Sequence, residues 1–147
     1  MANTKPKETK MAEHQVGPFE DVKIQEALTI IAVYAAQMDY ENCEADVERI
    51  VAILDHHPEF VARRKEIFPL VNKFVNAIKV SDPVKVLKIA ANALTPEQRR
   101  VGFELGVKVA QPDQNLSADK KRMFDTLKAQ LSISDEFARQ LLGKNDS

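Results

Sequence analysis

A chain of 147 residues with 44% hydrophobic and 29% charged side chains has the balance of one globular domain, which excludes a wholly disordered polymer. Its 21 basic and 22 acidic residues nearly cancel, to a net charge of -1, so coating nucleic acid or an anionic membrane is not its expected main work. One cysteine excludes an intrachain disulfide framework and a cysteine-based zinc cluster, and no Gly-rich run is present to cradle phosphate.

The first 18 residues are polar, carry Lys5, Lys7 and Lys10, and lack the apolar run of a signal peptide; they read as a disordered tail ahead of a single domain over residues 19–143. Residues 144–147 read as a short C-terminal tail. No stretch approaches the roughly twenty apolar residues of a membrane span, so no membrane insertion and a cytoplasmic location are expected. Apolar residues at helical spacing (Ile24, Ala27, Leu28, Ile31, Ala35, Met38) predict a long helix over residues 19–38. Ile30, Val33 and Tyr34 lie off that stripe and are apolar too, which suggests a central helix surrounded by others. A second helix is expected over residues 44–56, burying Val47, Ile50, Val51 and Leu54. Pro58 opens a third, in which Pro69 should kink or split the run ending near Ile78. Ser81-Asp82-Pro83 starts a fourth. Thr95-Pro96-Glu97-Gln98 forms a capping box for a fifth, running to about Ala110, whose Gly102 and Gly106 would let a neighbouring helix approach closely. Ser117 caps a helix with Met123, Phe124, Leu127 and Leu131, and Ser134 opens a last short one ending at Gly143. No segment alternates with a strand period. The expectation is an all-α fold of about seven helices.

Residues 42–50 match residues 115–123 at positions including Ala45/Ala118, Asp46/Asp119 and Arg49/Arg122, and Leu54/Leu127 keeps the same spacing. Each copy follows an apolar helix and a short polar loop, which suggests two pseudo-repeated helical halves packed around the long first helix. Carboxylates gather before each helix start: Asp39, Glu41, Glu44 and Asp46 in one loop, Asp113 and Asp119 in the other. Ca²⁺ and other hard divalent cations take several oxygen ligands from compact loops. Equally, acidic residues stabilise the first turn of any helix through its dipole. The spacing leaves both readings open, since neither loop has the alternating aspartates and glycine of a dedicated calcium loop.

The second copy reads Asp113-Gln-Asn-Leu116-Ser117-Ala-Asp119-Lys120 and the first Asp39-Tyr40-Glu41-Asn-Cys43-Glu-Ala-Asp46. This pattern resembles the TerB-like tellurite-resistance family, whose halves carry Ala-Asp-Gly-x-(Leu/Ile)-Ser-x-x-Glu between helices. Asp39, Asp113, Leu116 and Ser117 fit it, Asp46 can stand for its glutamate, and Leu131-Ser-Ile-Ser134 is similar to its closing turn. The motif glycine is instead Tyr40 and Gln114, and the second glutamate is Lys120. The resemblance spans residues 19–142. It implies a non-enzymatic domain of bacterial stress or metal resistance that binds a partner protein and a divalent cation through Asp39, Glu41, Asp46, Asp113 and Asp119. The second site is expected to be the weaker. The alternative is a plain protein-interaction module with no metal site.

Other candidates carry less chemistry. His56 and His57 are adjacent, so on a helix they diverge and chelate no common ion; a helix-end cation and a cap before Pro58 are expected. Cys43, near a helix start, is a candidate redox-sensing thiol; it reads more simply as the small residue standing at the motif's capping serine. The basic runs 63–65, 99–100 and 120–122 lie on expected helices with acids nearby and without interleaved aromatics, so they read as solvated faces and no nucleic acid is expected.

Overall fold

The computed structural model describes residues 22–38, 42–110 and 117–143. Among them are seven α-helices, one 3-10 segment and no strand. The helices are α1 (Ile24–Ala36), α2 (Glu44–Asp55), α3 (Ile67–Lys79), α4 (Pro83–Asn92), α5 (Pro96–Ala110), α6 (Ala118–Leu131) and α7 (Asp135–Leu142); the 3-10 segment, Pro58–Glu66, joins α2 to α3. The all-helical class expected from the periodicity is therefore observed.

Local capping chemistry sets most boundaries. Before α5, the Thr95 N–H donates to Gln98 Oε1 (2.9 Å) and the Gln98 N–H returns to Thr95 Oγ1 (3.2 Å). Asp82 accepts from the Val84 N–H at 3.0 Å with Pro83 at the first helical position, and Ser117 and Ser134 cap α6 and α7 at 3.1 Å each. These bonds satisfy N–H groups that have no partner inside the helix. At the end of α6, Ser132 takes a left-handed conformation (φ 56°), its N–H reaching Ala129 O and the Ile133 N–H reaching Lys128 O. That is a Schellman turn with serine where glycine is usual.

Four boundaries differ from the periodicity reading. The first helix starts at Ile24 rather than near residue 19, because Lys23 is extended and its N–H bonds the Glu26 carboxylate at 3.0 Å; residues 19–21 lie outside the described set. It stops at Ala36 because Gln37 is left-handed (φ 50°). The second helix ends at Asp55, one residue short. The third run does split, yet ahead of Pro69: it is 3-10 up to Glu66, with Arg63 out of helical geometry (φ -129°, ψ 27°), and turns α from Ile67. Pro69 thus falls in the first turn of α3, where its missing N–H and its clash with the preceding turn cost least.

Residues 27–33 of α1 are wholly buried on every side. The helix packs against α2, α3, α4, α5, α6 and the 3-10 segment. Its one polar core residue, Thr29, donates its hydroxyl to Gln25 O at 2.7 Å, so no polar group there lacks a partner. The two glycines of α5 explain how that helix comes so close. A Cβ built at Gly102 would lie 2.7 Å from Ile31 Cδ1, and one at Gly106 2.8 Å from Leu127 Cδ2. Phe103 beside them is fully buried and meets the rings of Phe124 and Phe137, each at 6.4 Å, tying α6 and α7 to α5.

Candidate functional site

Of the expected cation ligands, Asp46 and Asp119 are described, while Asp39, Glu41 and Asp113 lie outside the described residues. Both described aspartates sit in the first turn of their helices, α2 and α6, and both pair with the arginine three residues on. Asp46 Oδ1 lies 3.1 Å from Arg49 Nη2, and Asp119 is paired with Arg122. The two pairs differ in setting. Arg49 and Asp46 are each about 30% exposed, whereas Arg122 and Asp119 are mostly in solvent at 73% and 78%. Among the described residues no group of three or more His, Cys, Asp or Glu could hold a metal ion.

The flanks of the two loops are tied to each other. Arg49 reaches past Asp46 and also donates to Val109 O in the last turn of α5, the helix that precedes the second acidic segment in the sequence. Reciprocally, Gln37 at the end of α1, where the first loop begins, donates its side-chain amide to Asp119 O at 3.4 Å. The left-handed turn at Gln37 is what ends α1 there. Next to this bond an open groove of about 400 Å³ is lined by Tyr34, Met38, Asp119, Arg122, Met123 and Thr126 among others. Burial raises the Tyr34 phenol above its ordinary pKa, opposed by its hydrogen bond with Thr126, so the ring enters the groove wall as a neutral phenol.

The capping roles divide. Ser117 caps α6, but Cys43, at the matching place before α2, makes no side-chain cap bond; it is half-buried and packs against the core instead. His57 is a cap: its Nδ1 accepts the Glu59 N–H at 3.1 Å at the start of the 3-10 segment. An imidazole that accepts at Nδ1 is unprotonated there. Burial, the largest influence, lowers the His57 pKa, with Lys108 acting in the same direction and Glu59 and Glu104 opposing. His56 Nδ1 lies 3.0 Å from Ala52 O, one turn back on its own helix. No nucleophile is set against either ring by these contacts.

The basic runs are largely engaged within the fold. Arg63 bridges Glu66 at 2.6 Å, Glu26 at 3.9 Å and Gln25 Oε1 at 3.2 Å; Arg64 meets Asp55; Arg99 donates to Ala91 O at 2.9 Å. Periodicity overlooked one feature, the exposed ring of Phe68, which lies between α3 and α2 beside Val47 and Asn72. The signal was present: Phe68 falls off the Ile67, Leu70, Val71, Phe74 stripe of α3.

Among the described residues no helix is long and apolar enough to cross a membrane. Compared with protein-family models, with curated proteins and with solved structures, the chain gives no match.

Proposed function

We propose that the chain is a non-enzymatic TerB-like helical domain that serves bacterial stress or tellurite resistance in the cytoplasm by docking a partner protein. The family assignment rests on the loop-helix motif around Asp39, Asp113, Leu116 and Ser117. Its premise, two related halves about a central α1, is supported by the recurrence of one ion pair, Asp46–Arg49 and Asp119–Arg122, at matching motif positions. The docking reading is carried by one observation: Gln37 and Arg49 each bond across to the other loop's flank, Asp119 O and Val109 O. Such ties hold the ends of both loops in one arrangement, as a surface that must present itself preorganised to a partner requires. With both described aspartates paired to arginine, docking does not call for a metal.

A second reading keeps the cation, favoured by the Gln37–Asp119 bond that sets the ends of the two acidic loops side by side. In it Asp39, Glu41 and Asp113 supply most of the ligands, and Asp46 and Asp119 join only by exchanging their arginines for the ion. Calorimetric titration of Ca²⁺, Mg²⁺ and Mn²⁺ into wild type and the Asp39→Asn, Asp113→Asn double variant separates the readings. Heat in wild type that disappears in the variant establishes the cation reading. No heat in either protein, with a partner recovered equally well in chelator, establishes docking alone.

A further inference from the structure

We infer that the groove between α2 and α3 is a docking slot for a basic amphipathic helix of a partner protein; this rests on the docking reading above and gives the partner a chemistry. The groove encloses about 300 Å³ and is lined by Cys43, Glu44, Val47, Glu48, Phe68 and Asn72. Phe68 leaves 55% of its surface exposed, although burying an aromatic ring gains more than burying almost any other side chain. Its neighbours on α3, Ile67 and Val71, are buried at 1% and 0%, so the ring stands on the outer side of an otherwise seated helix. Val47, 6% exposed, sits opposite it on α2 as the apolar floor.

Charge decides what fits. Glu44 and Glu48 are both exposed and lie four residues apart on α2, which places them on one face, one turn from each other. No ion pair among the described residues holds either carboxylate, whereas Asp46 between them is turned to Arg49. An apolar slot with an aromatic wall and a carboxylate row along one rim complements a helix that inserts an apolar stripe and carries lysines or arginines one turn apart beside it. A partner strand has no purchase, since the described residues hold no sheet edge to extend. Nucleic acid is repelled by the same acidic rim.

The test titrates the isotopically labelled full chain with two synthetic amphipathic helices that share one leucine stripe, flanked in one by lysines and in the other by glutamates. The lysine peptide is expected to shift the amide resonances of Cys43, Glu44, Val47, Glu48, Phe68 and Asn72, and the glutamate peptide to leave them in place. Phe68→Ala should weaken binding about tenfold or more, as loss of a central aromatic anchor does. Glu44→Gln with Glu48→Gln should remove most of its salt dependence. All three side chains are solvent-facing, and an unchanged circular dichroism spectrum confirms that the variants fold. Equal affinity for Phe68→Ala and wild type, equal response to both peptides, or no binding of the lysine peptide overturns the slot. Shifts confined to Gln37, Asp119 and Arg122 overturn it as well, while leaving the docking reading standing on that other surface.

Discussion

Replacing Gly102 by alanine sets two effects of similar size against each other. In a helix interior, alanine gains about 1 kcal/mol over glycine. Against that, the new Cβ would stand 2.7 Å from Ile31 Cδ1, well inside contact distance. The terminal methyl of an isoleucine can swing aside on an open surface, but Ile31 is wholly buried, with Leu28 also at the site. Overpacking a closed core costs about 1–3 kcal/mol, so Gly102→Ala is expected to destabilise by ~0–2 kcal/mol net. The cause can be isolated, because Ile31→Val deletes the one offending atom. The other neighbours, Leu28 Cδ2 at 3.5 Å and Leu94 Cδ1 at 3.8 Å, are ordinary contacts. Ile31→Val alone should cost ~0.5–1.5 kcal/mol, and in that background Gly102→Ala should become neutral or stabilising by up to ~1 kcal/mol. Urea unfolding of the four proteins of the cycle gives the coupling directly. An equal effect of Gly102→Ala in both backgrounds would falsify the close-approach account of α5 against α1.

The His57 cap makes stability depend on pH. Because burial holds the folded pKa below the ordinary value of about 6.5, the unfolded chain binds more protons as pH falls, so stability is full above that value and declines below it. His57→Asn keeps an acceptor for the Glu59 N–H and should lose this part of the slope between neutral and mildly acidic pH; an unchanged slope would show that another group carries it. Ser132→Gly, relieving a left-handed serine, should raise stability by ~0.5–1 kcal/mol in chemical denaturation, and a loss would mean that the Schellman turn is misassigned. The two ion pairs should separate: Arg49→Ala, which also deprives Val109 O of its donor, costs about 1–2 kcal/mol, while Arg122→Ala in solvent costs ~0–1 kcal/mol. Equal losses would contradict the structural role given to Arg49. Thr95→Ala should cost about 1 kcal/mol through loss of its cap on α5, with the midpoint of thermal unfolding falling accordingly.

What the chain discloses in order depends on the range of the interaction. The capping box at Thr95 and Gln98, the serine caps of α6 and α7 and the proline start of α4 are contacts within three residues, and all are readable from spacing. The close approach at Gly102 and Gly106 follows from composition, since only glycine leaves that room on a helix surface. Pro69 shows where such reading slips: proline announces a break, but whether it falls at the proline or ahead of it depends on which turn the residue occupies. Lys23 shows another, a side-chain bond from Glu26 overriding continued apolar periodicity. The site was the least legible part. Gln37 to Asp119 and Arg49 to Val109 span 82 and 60 positions, and no local pattern encodes a side chain bonding a distant backbone carbonyl. Cys43 is the residue-level counterpart. Its position before α2 was evident, but that its side chain leaves the helix start uncapped came only from packing.

The docking claim is tested most directly by placing a photoreactive side chain at Arg122, in the groove beside Asp119, and separately at Ala62 in the 3-10 segment, which meets α1 at its other end through the Gln25–Glu59 bond. Irradiating cells challenged with tellurite should yield one discrete crosslinked protein from position 122, undiminished by chelator, and none from position 62. No adduct at 122, or the same adducts from both positions, would contradict the assignment of this surface to a partner.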